Sequence, residues 1–308
     1  MEHLVEAAHL SRSFGALHAV EDVSLMVSAG EIYGLVGSDG AGKTTTLRLL
    51  IGALRLDEGK VRLCGYDLSV KLDQARARVG YLSQRFSMYE DLTVLENIRF
   101  FAEMRGLKAS QWLPRCMEIL EFVGLAEYKT RRAGKLSGGM KQKLGLASAL
   151  VSQPSVLLLD EPTTGVDPVT RQDFWQLIIR LASRGEVAII ITTPYMDEAS
   201  RCHRIGFMRL GQIIAEGKPS ELRSILNGRI MELRGQPLVL LRRVAEQVKG
   251  IEDARLFGDR LHLRVRKGDE EAVLQDLPAL VESRGGSLSE LIAVPPTLED
   301  VFIYLSQT

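Results

Sequence analysis

Eight consecutive residues, Gly37-Ser38-Asp39-Gly40-Ala41-Gly42-Lys43-Thr44, match the pattern G-x-x-x-x-G-K-[ST]. Glycines in such a run let backbone N–H groups close around phosphate oxygens. The lysine reaches the outer phosphates, and the Thr44 hydroxyl is a ligand for Mg²⁺. A helix starting near Lys43, with Thr45 in its first turn, aims its positive dipole end at the same anion. Further along, Val156-Leu157-Leu158-Leu159-Asp160-Glu161 is an apolar run that ends in two acids. Read as a buried strand, it delivers Asp160 to the carboxyl end of a parallel sheet, where such sheets place ligands. Asp160 there holds Mg²⁺, directly or through water, and Glu161 orients and polarises an attacking water. Alone, the first run is also a plain Gly-rich turn and the second a solvated acidic turn. A strand before the loop, a helix after it and the acids downstream together favour phosphate chemistry.

A third run, Leu136-Ser137-Gly138-Gly139-Met140-Lys141-Gln142, opens a helix with Ser137 and two glycines. In isolation it is an ordinary helix start, although its N–H groups and dipole also suit a phosphate. In this order the three runs resemble the ATP-binding cassettes of ABC transporters, with Met140 where their LSGGQ signature has Gln. The resemblance covers residues 1 to about 227. It implies that Gly37, Ser38, Asp39, Gly40, Ala41, Gly42, Lys43, Thr44 and Thr45 hold ATP. It also implies that Ser137, Gly138 and Gly139 face the ATP of a second cassette, so that two cassettes pair head to tail around two nucleotides. Phe14 resembles the aromatic that stacks on adenine, and a core Phe reads the same way. Gln84, in Tyr81-Leu82-Ser83-Gln84, resembles the glutamine that contacts Mg²⁺ and links to a helical block, and an exposed loop Gln looks the same. The implied catalytic residues are Glu161, Gln84 and Lys43, the implied Mg²⁺ residues Thr44, Gln84 and Asp160, and the implied cofactors ATP and Mg²⁺. Gly165-Val166-Asp167 resembles the loop between the two sites, and Asp167 before Pro168 also reads as a helix N-cap. The chain departs from the family at Asp39 (usually Asn), at Met140, and at Pro194 in Thr192-Thr193-Pro194-Tyr195. Pro194 replaces a histidine that contacts the γ-phosphate, and proline carries neither a side-chain donor nor a backbone N–H.

These residues need a scaffold, and the hydrophobic pattern supplies one. Apolar alternation marks strands over residues 4–10, 23–27 and 32–36, followed by a helix over 43–54 with Leu47, Leu49, Leu50 and Leu54 inward. Strands are expected over 61–64 and 79–82. Helices then run from 93 to 151, with Thr93 and Glu96 as a capping box and Gly124 as a C-cap. The β–α alternation returns with a strand at 156–159, a helix at 168–182, a strand at 187–192, a short helix at 197–202, and strands at 205–209 and 212–215. The expected fold is α/β: a P-loop NTPase (RecA-like) core with a mostly parallel sheet, an N-terminal antiparallel β subdomain, an α-helical subdomain inserted over about 93–151, and a small C-terminal α+β module. Residues 1–227 form the cassette. After Asn227-Gly228, residues 228–308 read β-α-β-β-α-β, a split-βαβ pattern, with a final helix.

Composition limits the function classes. The 308 residues carry 39 Lys plus Arg against 39 Asp plus Glu, so the net charge is zero. No basic excess marks a nucleic-acid surface, and no nucleic-acid partner is expected. The three cysteines, Cys64, Cys116 and Cys202, lack CxxC spacing and read as reduced thiols. Neither a signal peptide nor an apolar run of about 20 residues is evident, so a separate chain must do any spanning of a bilayer. The phrase Pro296-Thr297-Leu298-Glu299-Asp300-Val301-Phe302 resembles the C-terminal extension of ABC-2-type drug exporter ATPases, and Thr297 with Asp300 also fits a plain helix start with an acidic first turn. The implied function is ATP binding and hydrolysis, coupled to efflux through an ABC-2-type membrane permease. The partners are then that permease and a second cassette, and the location is the cytoplasmic face of the cell membrane. Residues around 86–91 are the expected permease contact, with Met88, Tyr89 and Leu92 apolar enough for it, and a loop packing on its own domain reads the same way. The alternatives are a regulatory subunit that hydrolyses weakly in a heterodimer, and a soluble ABC ATPase outside transport.

Overall fold

A computed structural model describes residues 3–85 and 87–307. The chain folds as two units, Met1–Lys218 and Pro219–Thr308. In the first unit the elements run β1 (His3–Phe14), β2 (Leu17–Ser28), β3 (Ile32–Val36), α1 (Lys43–Leu50), β4 (Glu58–Leu63), β5 (Tyr66–Asp67), α2 (Leu72–Arg76) and β6 (Val79–Leu82). Then come α3 (Val94–Met104), α4 (Ala109–Val123), α5 (Gly138–Leu150), β7 (Val156–Asp160), α6 (Pro168–Ala182), β8 (Ala188–Thr193), α7 (Met196–Ala199), β9 (Arg204–Arg209) and β10 (Gln212–Gly217).

The strands form a sheet of order β10-β9-β3-β8-β7-β6, parallel except for the β10 edge, and an antiparallel sheet of order β2-β1-β4-β5. Every residue of β3, β7 and β8 is buried. That is what a parallel sheet covered on both faces demands, and it explains why these strands read as continuous apolar runs. Helix α1 packs between the sheets. Leu47, Leu49 and Leu50 share one core with Val5, Leu10, Val23 and Val27 on one side and Leu35, Leu158 and Ile190 on the other. Each such leucine contributes roughly 1.5–3 kcal/mol by burial, and together they fix the axis of the helix that begins at Lys43. The helix stops at Leu50, four residues short of the expected Leu54. Gly52 turns left-handed at φ 68, and the N–H groups of Ala53 and Leu54 fold back onto the Arg48 carbonyl.

Helices α3, α4 and α5 pack on one another as the inserted helical block. The expected capping box is present. Thr93 Oγ1 accepts from the Glu96 N–H at 3.2 Å and Glu96 Oε2 accepts from the Thr93 N–H at 2.8 Å. Gly124 closes α4 at φ 72.

The second unit contains α8 (Pro219–Ser224), β11 (Ile230–Gln236), α9 (Leu238–Ala245), β12 (Ile251–Phe257), β13 (Arg260–Val265), α10 (Glu270–Ser283), β14 (Ser287–Ala293) and α11 (Leu298–Leu305). Its antiparallel sheet has order β12-β13-β11-β14. Leu241, Val244, Val273, Leu277 and Val281 from α9 and α10 cover one face and meet Leu233, Leu261 and Leu263 in a core of their own.

Candidate functional site

Buried β3 carries the chain to Gly37, and α1 starts six residues later. Gly42, at the N-cap of α1, has φ 106, and a Cβ there would lie 2.4 Å from the Ala19 carbonyl oxygen. Only glycine takes that shape without strain. No side chain caps α1 and its first turn holds no acid, so its N–H groups and dipole end remain available to an anion. Lys43 is 4 % exposed. Its Nζ donates to the carbonyls of Gly37 at 2.8 Å and Ser38 at 3.0 Å, and it pairs with Glu161 Oε1 at 3.0 Å. The loop opens into a cavity of about 420 Å³ lined by Asp39, Gly40, Gly42, Lys43, Thr44, Thr45, Gln84 and Glu161 on one side. Phe14, Leu17, His18, Ala19 and Leu210 form the apolar side. Phe14 is 45 % exposed, with the Arg12 guanidinium 5.0 Å from its ring centre. It is a cleft-wall residue rather than a core phenylalanine.

The acids arrive from β7. Asp160 is buried, and its carboxylate is met by three hydroxyls. Thr44 Oγ1 and Thr192 Oγ1 each donate to Oδ1 at 2.9 Å, and Tyr81 OH donates to Oδ2 at 3.2 Å. Burial, reinforced by the Asp160 charge, pushes the Tyr81 phenol up to about 12, so it remains a donor at neutral pH. Glu161 sits at φ 46, a left-handed conformation that a non-glycine residue adopts only when its surroundings enforce it. Its Oε2 accepts from Gln84 Nε2 at 2.9 Å and Thr164 Oγ1 at 3.3 Å, and its N–H donates to Thr192 Oγ1 at 2.9 Å. Lys43 and Glu161 therefore compensate each other's charge in a buried setting, where an unpaired charge is strongly disfavoured.

The donor set suits a hard cation. The Thr44 hydroxyl and the Asp160 carboxylate are oxygen ligands side by side at the cleft, without sulfur or imidazole, as Mg²⁺ prefers. Gln84 donates its amide Nε2 to Glu161 at 2.9 Å, which places it beside that acid.

Ser137, Gly138 and Gly139 do not line this cleft. Ser137 caps α5, accepting from the Met140 N–H at 3.3 Å. A Cβ on Gly139 would stand 1.9 Å from Thr170 Cγ2, whereas one on Gly138 would meet nothing within 4 Å. Packing within the chain thus explains Gly139 and not Gly138. Asp167 Oδ1 accepts from the Thr170 N–H at 3.0 Å, so the N-cap reading of Asp167 holds. Pro194 is half-buried. Its neighbour Thr193 donates to Glu198 Oε2 at 2.6 Å, Thr163 donates to Glu198 Oε1 at 2.5 Å, and Arg171 Nε lies 3.6 Å from the same carboxylate. Of the segment expected to contact a permease, Phe86 lies outside the described residues. Met88 is half-buried and Tyr89 is 49 % exposed.

Tyr81, Thr192, Thr163 and Glu198 were not anticipated from the sequence. Their signal lies in strand ends. Leu82 pairs with Leu159 and Thr192 with Asp160 in the parallel ladder, so the hydroxyls at the carboxyl ends of β6 and β8 meet the acid at the end of β7.

The ABC transporter family model matches residues 20–164. The chain is 39 % identical, over 292 residues, to the probable multidrug ABC transporter ATP-binding protein YbhF of Escherichia coli (strain K12), covering 93 % of this chain and 49 % of that protein. It therefore spans about half the length of that relative. It is 38 % identical over 307 residues to Nod factor export ATP-binding protein I of Paraburkholderia xenovorans (strain LB400), covering 99 % of this chain and 97 % of that one. Among solved structures, an ATP-binding subunit of an ABC transporter superposes with TM-score 0.65 at 28 % identity, covering 72 % of this chain and 92 % of that one. The ADP conformation of another such cassette superposes with TM-score 0.66 at 26 % identity, covering 72 % and 93 %.

Proposed function

The chain belongs to the ABC transporter family, and on that premise we propose that it is the ATP-binding and ATP-hydrolysing subunit of an exporter that works through a separate membrane permease. The observation that carries the reading is the convergence, at one cleft, of an uncapped helix start, Lys43, Thr44, Gln84 and Glu161, with buried Asp160 bonded to Thr44 behind them. Backbone N–H groups of residues 37–45 bind the phosphates and Lys43 moves from the Glu161 carboxylate toward them. Phe14 stacks on the base. Thr44 and Asp160 would hold Mg²⁺, which would supply charge neutralisation at the phosphates. Glu161 accepts a proton from the attacking water at its carboxylate, steadied by the Gln84 amide.

Gly138 supports a head-to-tail pair. A glycine with open space above it at a helix start permits the close approach of a second cassette's nucleotide. The names of the relatives, multidrug and Nod factor export, support export as the direction. Among the described residues no helix is long and apolar enough to cross a membrane, in keeping with peripheral attachment to an ABC-2-type permease at the cytoplasmic face. Pro194 favours a second reading, a subunit that binds ATP and hydrolyses it slowly. One assay separates the two. With its permease, the purified chain should show Mg²⁺-dependent ATP turnover that Glu161→Gln lowers by about a hundredfold or more while ATP still binds. Binding without turnover above the variant's level selects the second reading.

A further inference from the structure

We infer that Thr192 is a positioning residue for hydrolysis, holding Glu161 in its working conformation through one buried hydroxyl. The inference rests on the reading of the chain as an ATPase and deepens it.

A single atom joins the two acids. Thr192 Oγ1 accepts from the Glu161 N–H at 2.9 Å and donates to Asp160 Oδ1 at 2.9 Å, and Thr192 is 0 % exposed. A hydroxyl has one proton to give. Here it goes to a carboxylate that can only accept, so the lone pair facing Glu161 is oriented rather than free. The bond falls where the backbone requires it. Glu161 is held at φ 46, which L-residues with side chains rarely adopt. A hydrogen bond to the N–H of that residue is a direct restraint on the conformation. Side-chain contacts alone would not define it, because the Glu161 carboxylate is shared with Lys43, Gln84 and Thr164, and Lys43 is expected to turn toward phosphate.

Thr192 is itself fixed. It pairs with Asp160 across the parallel ladder between β7 and β8, and branching at Cβ limits its χ1. The next residue, Thr193, anchors the strand end to buried Glu198 at 2.6 Å. The carboxyl end of β8 thus serves as a rigid edge against which the end of β7 is set. The arrangement has added weight in this chain, because Pro194, immediately after, offers no donor of its own to the phosphates.

Two variants of the full chain test the role: Thr192→Val, which keeps the shape and removes the hydroxyl, and Thr192→Ser, which keeps the hydroxyl. Turnover is measured per bound nucleotide, with the ATP dissociation constant determined with and without Mg²⁺. For Thr192→Val, kcat should fall by about tenfold or more, the size of loss that misorientation of a reacting group produces. KM and both dissociation constants should stay within about twofold of the wild type. Thr192→Ser should keep kcat within about threefold of the wild type. Unchanged turnover in the valine variant overturns the inference. So does a serine variant that loses as much as valine, or a loss of kcat matched by an equal loss of ATP affinity. Where the valine variant does not fold, a serine variant that loses about tenfold or more in kcat still overturns the inference. A wild type without turnover above Glu161→Gln sinks the ATPase reading, and this inference with it. An active wild type beside a fully active Thr192→Val sinks the inference alone.

Discussion

Two side chains divide the work of holding a nucleotide, and the division can be measured. Phe14 faces the cleft from the apolar side, while Lys43 and the backbone of residues 37–45 face it from the polar side. Stacking of a base on an aromatic ring contributes about 1–3 kcal/mol. Phe14→Ala should therefore weaken ATP binding by about 5- to 150-fold, while Phe14→Tyr keeps most of the affinity. Tripolyphosphate, which has no base, should bind the wild type and Phe14→Ala alike, and fluorescence titration of both ligands checks this. Equal weakening for the two ligands would assign Phe14 a structural role instead. The residues of the phosphate side were legible in the sequence because their chemistry is local: Gly37 to Thr45 act as one run, and Asp160 and Glu161 are neighbours. The Tyr81 and Thr192 hydroxyls at Asp160 were not legible, because they meet the acid only once the order of β6, β7 and β8 in the sheet is known. Hydrophobic periodicity identifies strands but not their neighbours.

Long or strongly patterned elements were legible as well: buried β7 and β8, capped α3, α6 with Asp167 and Pro168 at its start, and the β-α-β-β-α-β order of the second unit. Short elements such as β5 and α2 bury too little to leave a periodic trace, and the early end of α1 follows from one left-handed glycine. The segment after Gln84 shows how an element supports a loop. Asn97, on the first turn of α3, is 0 % exposed. Its Oδ1 accepts from the Tyr89 N–H at 2.9 Å, and its Nδ2 donates to the carbonyls of Tyr89, Leu92 and Thr93 at 3.0, 3.3 and 2.9 Å. Asn97→Leu removes all four bonds and leaves the Tyr89 N–H without its partner, at about 1–3 kcal/mol, while the three carbonyls keep the backbone donors of Leu92, Ala133 and Asn97. The melting temperature should drop by several degrees, at about 2–4 °C per kcal/mol for a unit of this size, and hydrogen exchange should quicken at the Tyr89 amide. The same loop presents exposed Tyr89 edge-on to Phe100, with ring centres 4.7 Å apart. If residues 87–92 receive the permease, Met88→Asp and Tyr89→Ala should abolish export while ATP affinity is kept. Intact export in both variants would remove the loop from the coupling route.

At the scale of the whole molecule, each of the two units has its own core and its own polar arrangement, and the second carries a buried carboxyl whose titration can be followed. Asp300, in the first turn of α11, has a side chain only 11 % exposed. Burial alone raises a carboxyl pKa. Here the hydrogen bonds from His262 Nδ1 at 3.1 Å, Thr297 Oγ1 at 2.7 Å and the Thr297 N–H at 2.8 Å outweigh it, and the Asp300 carboxyl lies below its usual value. His262 is in turn stacked on Phe257 at 4.3 Å. A carboxyl whose folded pKa is depressed stabilises the fold above its unfolded value of about 3.9, and that contribution is lost as pH falls through the folded value. The full chain should therefore lose thermal stability steeply below about pH 4. Asp300→Asn should lower the melting temperature at pH 7, where the ionised acid would otherwise contribute, and should make the acid-side decline shallower because one linked proton is gone. Its ATP affinity should match the wild type, since no residue lining the cleft lies beyond Leu210. Calorimetry from pH 7 down to 3, paired with ATP titration at pH 7, tests the assignment. An acid decline identical in Asp300→Asn and wild type would show that Asp300 is not the group being titrated.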